Sequence, residues 1–245
     1  MEGGRAAVRY LLIGRGRMGR CVRDAAAALG DQVEGMLGRD DLERLGRMGR
    51  TADVVVDFSR PEALAELCAY ARRTATPVLS GTTGFTDRQL AQLRALGAHV
   101  PVLWSPNFSV GAAALFRAAE AAAGILGPGF DVEVTELHHR GKSDAPSGTA
   151  LRLMRAADPA GRLHPVYGRR GECGRSRDEA GVHALRGGTA PGTHSVYFLG
   201  CGEELVLTHR ALSRDIYAAG AVRAARALPG MAPGFYDLET VLLGG

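Results

Sequence analysis

Gly14-Arg-Gly16-Arg-Met-Gly19 stands directly after an apolar run with β-branched members (residues 7–13) and directly before an alanine-rich stretch with helical spacing (20–29). Strand, glycine turn and helix in that order constrain the chain more than any other feature. A helix that folds back over its strand leads to a parallel neighbour, because parallel strands need a crossover connection. The next residues supply such neighbours: strands at 32–37, 52–58 and 77–80, with helices starting at Pro61 and spanning 87–96. The third strand, with its continuous Val54-Val-Val-Asp-Phe58, is apolar on both faces, as a sheet covered by helices on both sides requires. These units predict an α/β fold with a doubly wound parallel sheet.

In that setting the glycine loop fits a dinucleotide site. Glycine serves where the turn is tight, where backbone meets pyrophosphate and where helix packs on strand. The N–H groups and positive dipole end of the helix then hold the phosphates. Gly14, Arg15, Gly16, Arg17, Met18 and Gly19 are therefore the expected pyrophosphate loop. A carboxylate that accepts the ribose hydroxyls normally sits about 20 residues on. Here that place reads Leu37-Gly38-Arg39-Asp40. Gly38 offers no carboxylate and Arg39 attracts a 2′-phosphate, which favours NADPH; Asp40 keeps NADH open.

After Pro106 the pattern changes. A helix (110–126), the strand Asp-Val-Glu-Val-Thr-Glu-Leu-His-His (131–139) and a helix from Ser147 precede a Gly/Arg-rich stretch (167–177). Segments 182–186, 193–199 and 203–210 alternate, are separated by glycines and are expected to form an antiparallel sheet. A second, α+β domain follows. A helix at 217–228 and a short segment at 236–243 are expected to rejoin the first domain, giving domains of 1–106 with 218–245, and of 107–217.

Net charge is +4, spread from Arg5 to Arg226 without a polybasic block and with few aromatics, which is no nucleic-acid footprint. Small acidic ligands suit the basic balance better. Four cysteines (Cys21, Cys68, Cys173, Cys201) lack CxxC spacing and read as reduced thiols in a cytoplasmic protein. The first apolar run is too short for a signal peptide or a span, and no later stretch is expected to cross a bilayer. Of the 30 Lys plus Arg, 29 are Arg and one is Lys142; Asn107 is likewise the sole asparagine. Codon bias explains the excess of Arg. The place where Lys was kept is then one where a planar, always protonated guanidinium does not serve.

Lys142 falls in Glu136-Leu-His-His-Arg-Gly-Lys-Ser-Asp-Ala-Pro-Ser-Gly-Thr-Ala150. Adjacent histidines on a strand point to opposite faces, and no third ligand has familiar spacing, so no metal site is expected. Pro146-Ser147-Gly148-Thr149 opens a helix with Ser147 or Thr149 as its cap. The Gly148 and Thr149 N–H groups then face the space shared by the histidines and Lys142, an anion cradle beside a proton donor. Singly these are a surface histidine, a solvated lysine and a helix cap. Together, within about a dozen residues, they make a site.

These residues resemble a known family, the 4-hydroxy-tetrahydrodipicolinate (dihydrodipicolinate) reductases of lysine and diaminopimelate biosynthesis. The matching segments are GRMG, VDFSRPEA, SGTTGF, SPNFSVG, ELHHRGKSDAPSGTAL, YGR, HALRGG and LTHRALSRDIYAAGAVRAA, in order over essentially the whole chain. The resemblance implies a Rossmann-like dinucleotide-binding domain built from both chain ends and a central α+β substrate domain that assembles a homotetramer. It implies NAD(P)H-dependent reduction of 4-hydroxy-tetrahydrodipicolinate, a small dicarboxylate, to tetrahydrodipicolinate with loss of water. Gly81, Thr82, Thr83, Ser105, Pro106, Asn107 and Phe108 would line the nicotinamide side. His138 would be the acid/base and Lys142 the neighbouring proton donor and carboxylate partner; His139, Ser147, Gly148 and Thr149 would meet substrate. Three positions depart from the family pattern: Gly38 for an acidic residue, Ser105 for alanine, and Arg15 for a small residue. Other Rossmann oxidoreductases, such as aspartate or homoserine dehydrogenases, share the glycine loop but not the HHRxK and SGT cluster. A cofactor-sensing protein on a retired reductase fold would not need His138 and Lys142.

Overall fold

The structure is a computed structural model, and it describes residues 6–243. In chain order the elements are β1 (Arg9–Ile13), α1 (Arg17–Ala28), β2 (Gln32–Leu37), β3 (Val54–Asp57), α2 (Leu64–Thr74), β4 (Val78–Ser80), α3 (Asp87–Leu96) and β5 (Pro101–Trp104). There follow α4 (Val110–Leu126), β6 (Asp131–His138), α5 (Gly148–Ala157), β7 (His164–Val166), β8 (Glu179–Arg186), β9 (Gly192–Leu199) and β10 (Glu204–Ala211). The last are α6 (Asp215–Ala225), β11 (Gly234–Tyr236) and α7 (Leu238–Leu243). The chain divides into two compact units, Met1–Ser109 with Asp215–Gly245, and Val110–Arg214. The changeovers fall where α4 and α6 begin, three residues from the boundaries read in the sequence.

In the first unit six strands lie in the order β11-β5-β4-β3-β1-β2, all parallel. Val54, Val55, Val56 and Asp57 are at most 2% exposed, so β3 is buried on both faces. The chain leaves β1 towards β2 and then crosses to β3 on the other side, and this reversal opens a crevice beyond Ile13 and Asp57. Two glycines shape its floor. Gly14 has φ +110°, and a Cβ there would stand 2.2 Å from the Phe58 carbonyl oxygen. A Cβ on Gly19 would stand 1.9 Å from the Gly14 carbonyl oxygen, so only glycine lets α1 start against the turn. β11, which the sequence reading missed, adds an edge strand beside β5.

The second unit holds five strands in the order β10-β9-β6-β8-β7. The three segments read as an antiparallel sheet do alternate in direction, but they are not consecutive neighbours: β9 and β10 pair antiparallel, while β6 lies between β9 and β8 and runs parallel to β8, as β7 does, so the sheet is mixed. Helix α5 carries the chain from β6 to the edge strand β7, and the Gly/Arg-rich stretch carries it back to β8. Helices α4 and α5 share a core with the sheet through Leu115, Phe116, Ala119, Leu153, Val134, Val196 and Phe198. With the turn that follows it, α4 spans Val110–Gly129, 20 residues of mean hydropathy 1.4, so one segment does have the length and composition to cross a membrane, contrary to the sequence reading. Ala112, Leu115, Phe116, Ala119 and Ala122 pack in this core, while Ile125 is exposed. Along β6 the buried positions are Val132, Val134, Glu136 and His138. A face that starts aliphatic therefore ends in a carboxylate and an imidazole.

Candidate active site

On the first unit, the crevice beyond β1 and β3 is a cleft of about 320 Å³. Gly14, Arg15, Gly16, Gly38, Arg39, Ser59 and Arg60 are among the residues that line it. Arg17 and Met18 open α1, Met18 half-buried. At the end of β2 the Arg15 side chain takes the space of the missing carboxylate: its Cδ and Nη1 lie 3.3 and 3.4 Å from where a Gly38 Cβ would stand. Arg15 is fixed by Nε donating to the Met36 carbonyl (3.1 Å) and Nη2 pairing with Asp41 Oδ2 (2.6 Å). The Gly38 N–H, with Arg15 and Arg44 nearby, holds the Asp41 carboxyl below its ordinary value.

Of the residues expected on the nicotinamide side, Thr82 bonds the side chain of buried Asp57 and the Gly81 N–H its carbonyl. Asp57 Oδ1 accepts from the Ser59 N–H (3.1 Å) and hydroxyl (2.5 Å), and its Oδ2 from the Ser80 and Thr82 hydroxyls, each at 2.8 Å. Burial pushes its carboxyl pKa up, against those donors. A Cβ on Gly81 would strike the Phe58 ring, which meets Phe108 edge-on at 5.6 Å. Trp104 Nε1 donates to the Thr82 carbonyl, while Thr83 is exposed. Ser105 Oγ donates to the Asn107 carbonyl (2.6 Å), and Asn107 Oδ1 accepts the Ser109 N–H (2.8 Å), which folds Ser105-Pro106-Asn107-Phe108 into a tight turn.

On the second unit Glu136, 1% exposed, receives four donors. Oε2 takes His138 Nδ1 (2.5 Å) and Arg186 Nη1 (2.8 Å); Oε1 takes Arg186 Nη2 (2.7 Å) and the Ser147 N–H (3.0 Å). Burial pushes the Glu136 carboxyl up, but Arg186, His138 and the Ser147 N–H outweigh it and hold it below its ordinary value. Burial lowers the His138 pKa; Glu136 opposes that, and Lys142 and Arg186 add to it. His138 Nε2 faces Gly192, where a Cβ would stand 2.9 Å away. The His194 ring stands edge-on to His138 at 5.0 Å, shares a hydrogen bond with Ser147 Oγ (3.1 Å), and is pushed by burial and by His138 to a pKa of about 4. Lys142 Nζ grips both Asp144 oxygens, at 2.7 and 2.9 Å.

Ser147 caps α5, its Oγ accepting the Ala150 N–H (3.2 Å), so its hydroxyl and N–H are both engaged within the protein. Gly148 and Thr149 form the first turn, Gly148 exposed. His139 parts from His138: its N–H donates to the Ala190 carbonyl, and its ring lines a depression with Arg140, Gly188, Thr189 and Arg214. Among the described residues no three His, Cys, Asp or Glu converge as a metal site. Three residues were missed in the sequence. Glu136 precedes His138 by two, and so shares its face by strand periodicity alone. Arg186 and His194 are brought in by register, His138 against Arg186 on β8 and Glu136 against His194 on β9.

A parallel sheet with a glycine loop at its switch point, joined to a unit bearing a buried acid/base cluster, defines a nicotinamide-dinucleotide oxidoreductase. Family profiles match almost throughout: dihydrodipicolinate reductase, N-terminus, over residues 8–108, and C-terminus over 111–242. The chain belongs to the dihydrodipicolinate reductase family and is an NAD(P)H-dependent reductase. It is 48% identical over 199 residues to the 4-hydroxy-tetrahydrodipicolinate reductase of Syntrophotalea carbinolica, covering 79% of this chain and 74% of that one. It is 45% identical over 225 residues to that of Aquifex aeolicus (89% and 83%). Among solved structures, the dipicolinate-bound dihydrodipicolinate reductase of Paenisporosarcina sp. TG-14 shares the fold, with a TM-score of 0.78 at 24% identity, covering 97% of this chain and 100% of that one.

Proposed function

We propose that this enzyme reduces 4-hydroxy-tetrahydrodipicolinate to tetrahydrodipicolinate and water within lysine and diaminopimelate biosynthesis, with His138 as acid/base and Lys142 as proton donor and carboxylate partner. Gly14 and Gly19 let the turn pack backbone on backbone against the start of α1, and Gly16 lines the cleft there with open space before it, which fits a pyrophosphate; Arg15 at Gly38 fits a 2′-phosphate, so NADPH is the favoured cofactor. Bound there, the nicotinamide supplies the hydride. Gly81 to Thr83 and Ser105 to Phe108 line its ring side.

The reading is carried by the His138 ring, clamped at Nδ1 by Glu136 so that Nε2 is the nitrogen left to exchange a proton. The bidentate Lys142–Asp144 contact adds that a carboxylate fits this ammonium; a substrate carboxylate takes over that place. Gly148 and Thr149, at the α5 N-terminus, serve the second carboxylate, with His139 meeting substrate from its own depression, while Ser147 holds the helix start. Dipicolinate in the Paenisporosarcina enzyme is a dicarboxylate of this kind. Exposed Leu185 and Val206, on the face of the second sheet opposite its core, fit contact with further copies of the chain, as a homotetramer requires. Four free thiols suit the cytoplasm. The test forms the substrate in situ from pyruvate and aspartate semialdehyde and follows reduced-nicotinamide absorbance. Substrate-dependent oxidation is expected; none with either cofactor refutes the assignment.

A further inference from the structure

We propose that Glu136 is a positioning residue for the reduction: it fixes His138 with its proton on Nδ1, sustains the imidazolium, and ties His138, the Lys142 loop and the α5 start to one buried carboxylate. This rests on the reading of His138 as the acid/base.

A carboxylate buried to 1% exposure persists only if its lone pairs are filled by strong donors, and here four donors fill both oxygens. The two Arg186 nitrogens bind it bidentately and keep it ionised. An ionised carboxylate only accepts hydrogen bonds, so the hydrogen between it and His138 belongs to Nδ1. Nε2 is then the lone-pair nitrogen of the neutral ring and the acid of the charged one.

The groups facing His138 come from every neighbouring element: Glu136 on its own strand, Arg186 from β8, His194 from β9 and Lys142 from the following loop. Arg186 and Lys142 are cations that disfavour the imidazolium; His194 is kept neutral by burial. Glu136 is therefore the anion that sustains the proton. It also reaches the remaining pieces: the Ser147 N–H starts α5, and Arg186 Nη2 donates on to the Asp144 carbonyl (2.6 Å), two residues from Lys142.

The first measurement needs no substitution. In ¹⁵N-labelled enzyme above the His138 titration, we expect the ring as the Nδ1–H tautomer with an unprotonated Nε2; an Nε2–H tautomer overturns the proposal even if Glu136 variants do not fold. Glu136→Gln is expected to lower kcat about 100-fold, the low end of what a positioned acid supplies. KM is expected to stay within a few-fold and NADPH binding to be unaltered. Because the acid must be protonated to act, the alkaline limb of its kcat profile moves to lower pH, and Glu136→Asp restores part of the rate. A wild-type rate and profile in Glu136→Gln overturns the proposal. His138→Ala separates the two ideas: an inactive His138→Ala beside an unaffected Glu136→Gln removes only the role of Glu136, whereas an active His138→Ala removes the acid/base reading itself.

Discussion

Lys142 holds both oxygens of Asp144, and this grip is where its size and flexibility matter. An ammonium is a compact charge with rotatable donors, whereas a guanidinium is a broad plane that never gives up its proton. Lys142→Arg should keep the charge yet lose at least about tenfold in kcat, since proton transfer of this kind supplies about 10²-fold or more. Steady-state rates in the coupled assay decide it; wild-type turnover would mean that charge alone suffices. At this scale the sequence was informative because the lone Lys stands out against 29 Arg. Glu136 was not legible as a partner, because its apolar neighbours Val132 and Val134 make that face of β6 read as core.

In the proposed function, the end of β2 is the element that favours NADPH. The sequence points to Arg39, which lines the cleft; the guanidinium over Gly38 is that of Arg15, held by Met36 and Asp41, and to it we assign the larger part. Loop and strand end are some 20 residues apart in sequence and meet only because β1 and β2 are parallel neighbours. Arg15→Ala is expected to weaken 2′,5′-ADP about tenfold in a calorimetric titration while leaving 5′-AMP unchanged, roughly 1.4 kcal/mol. Equal loss for both nucleotides, or a larger 2′-specific loss in Arg39→Ala, would return the role to Arg39. Elsewhere the elements were legible where periodicity decides, as in β3 and α4. They were not where direction decides: alternation in β8 is the same for parallel and antiparallel pairing, and the distinguishing signal is the long connection from β7 to β8.

Across the molecule, two groups of the second unit have folded pKa values far below their ordinary ones and so make stability depend on acid. His194 is neutral when buried, with a pKa of about 4 against an ordinary 6.5. Its folded pKa is the lower, so the protein is unpenalised above pH 6.5 and loses stability as pH falls towards 4, by about 3 kcal/mol for a shift of this size. For Glu133, burial pushes the carboxyl up but Arg169, His183 and Arg175 outweigh it, leaving about 2. That contribution is present above an ordinary carboxylate pKa of 4.5 and is lost as pH falls towards 2. Thermal unfolding followed against pH should therefore show two acid windows, and His194→Gln should make the one between pH 6.5 and 4 shallower, leaving the part due to His138 and His209, while sparing the other. Two unaltered windows in that variant would contradict the buried neutral His194. The α/β class and the split into two units follow from order and spacing along the chain. The arrival of Arg186 and His194 at Glu136 and His138 depends on strand register, which is a property of the folded sheet.

The proposed function assigns cofactor binding to the first unit and proton transfer to the second, and so predicts that the two can be separated. The most direct test measures kcat and the NADPH dissociation constant together for His138→Ala, with substrate formed in situ. A fall in kcat of about 10²-fold or more with NADPH affinity unchanged is the predicted result; normal turnover in this variant would contradict the assignment of His138.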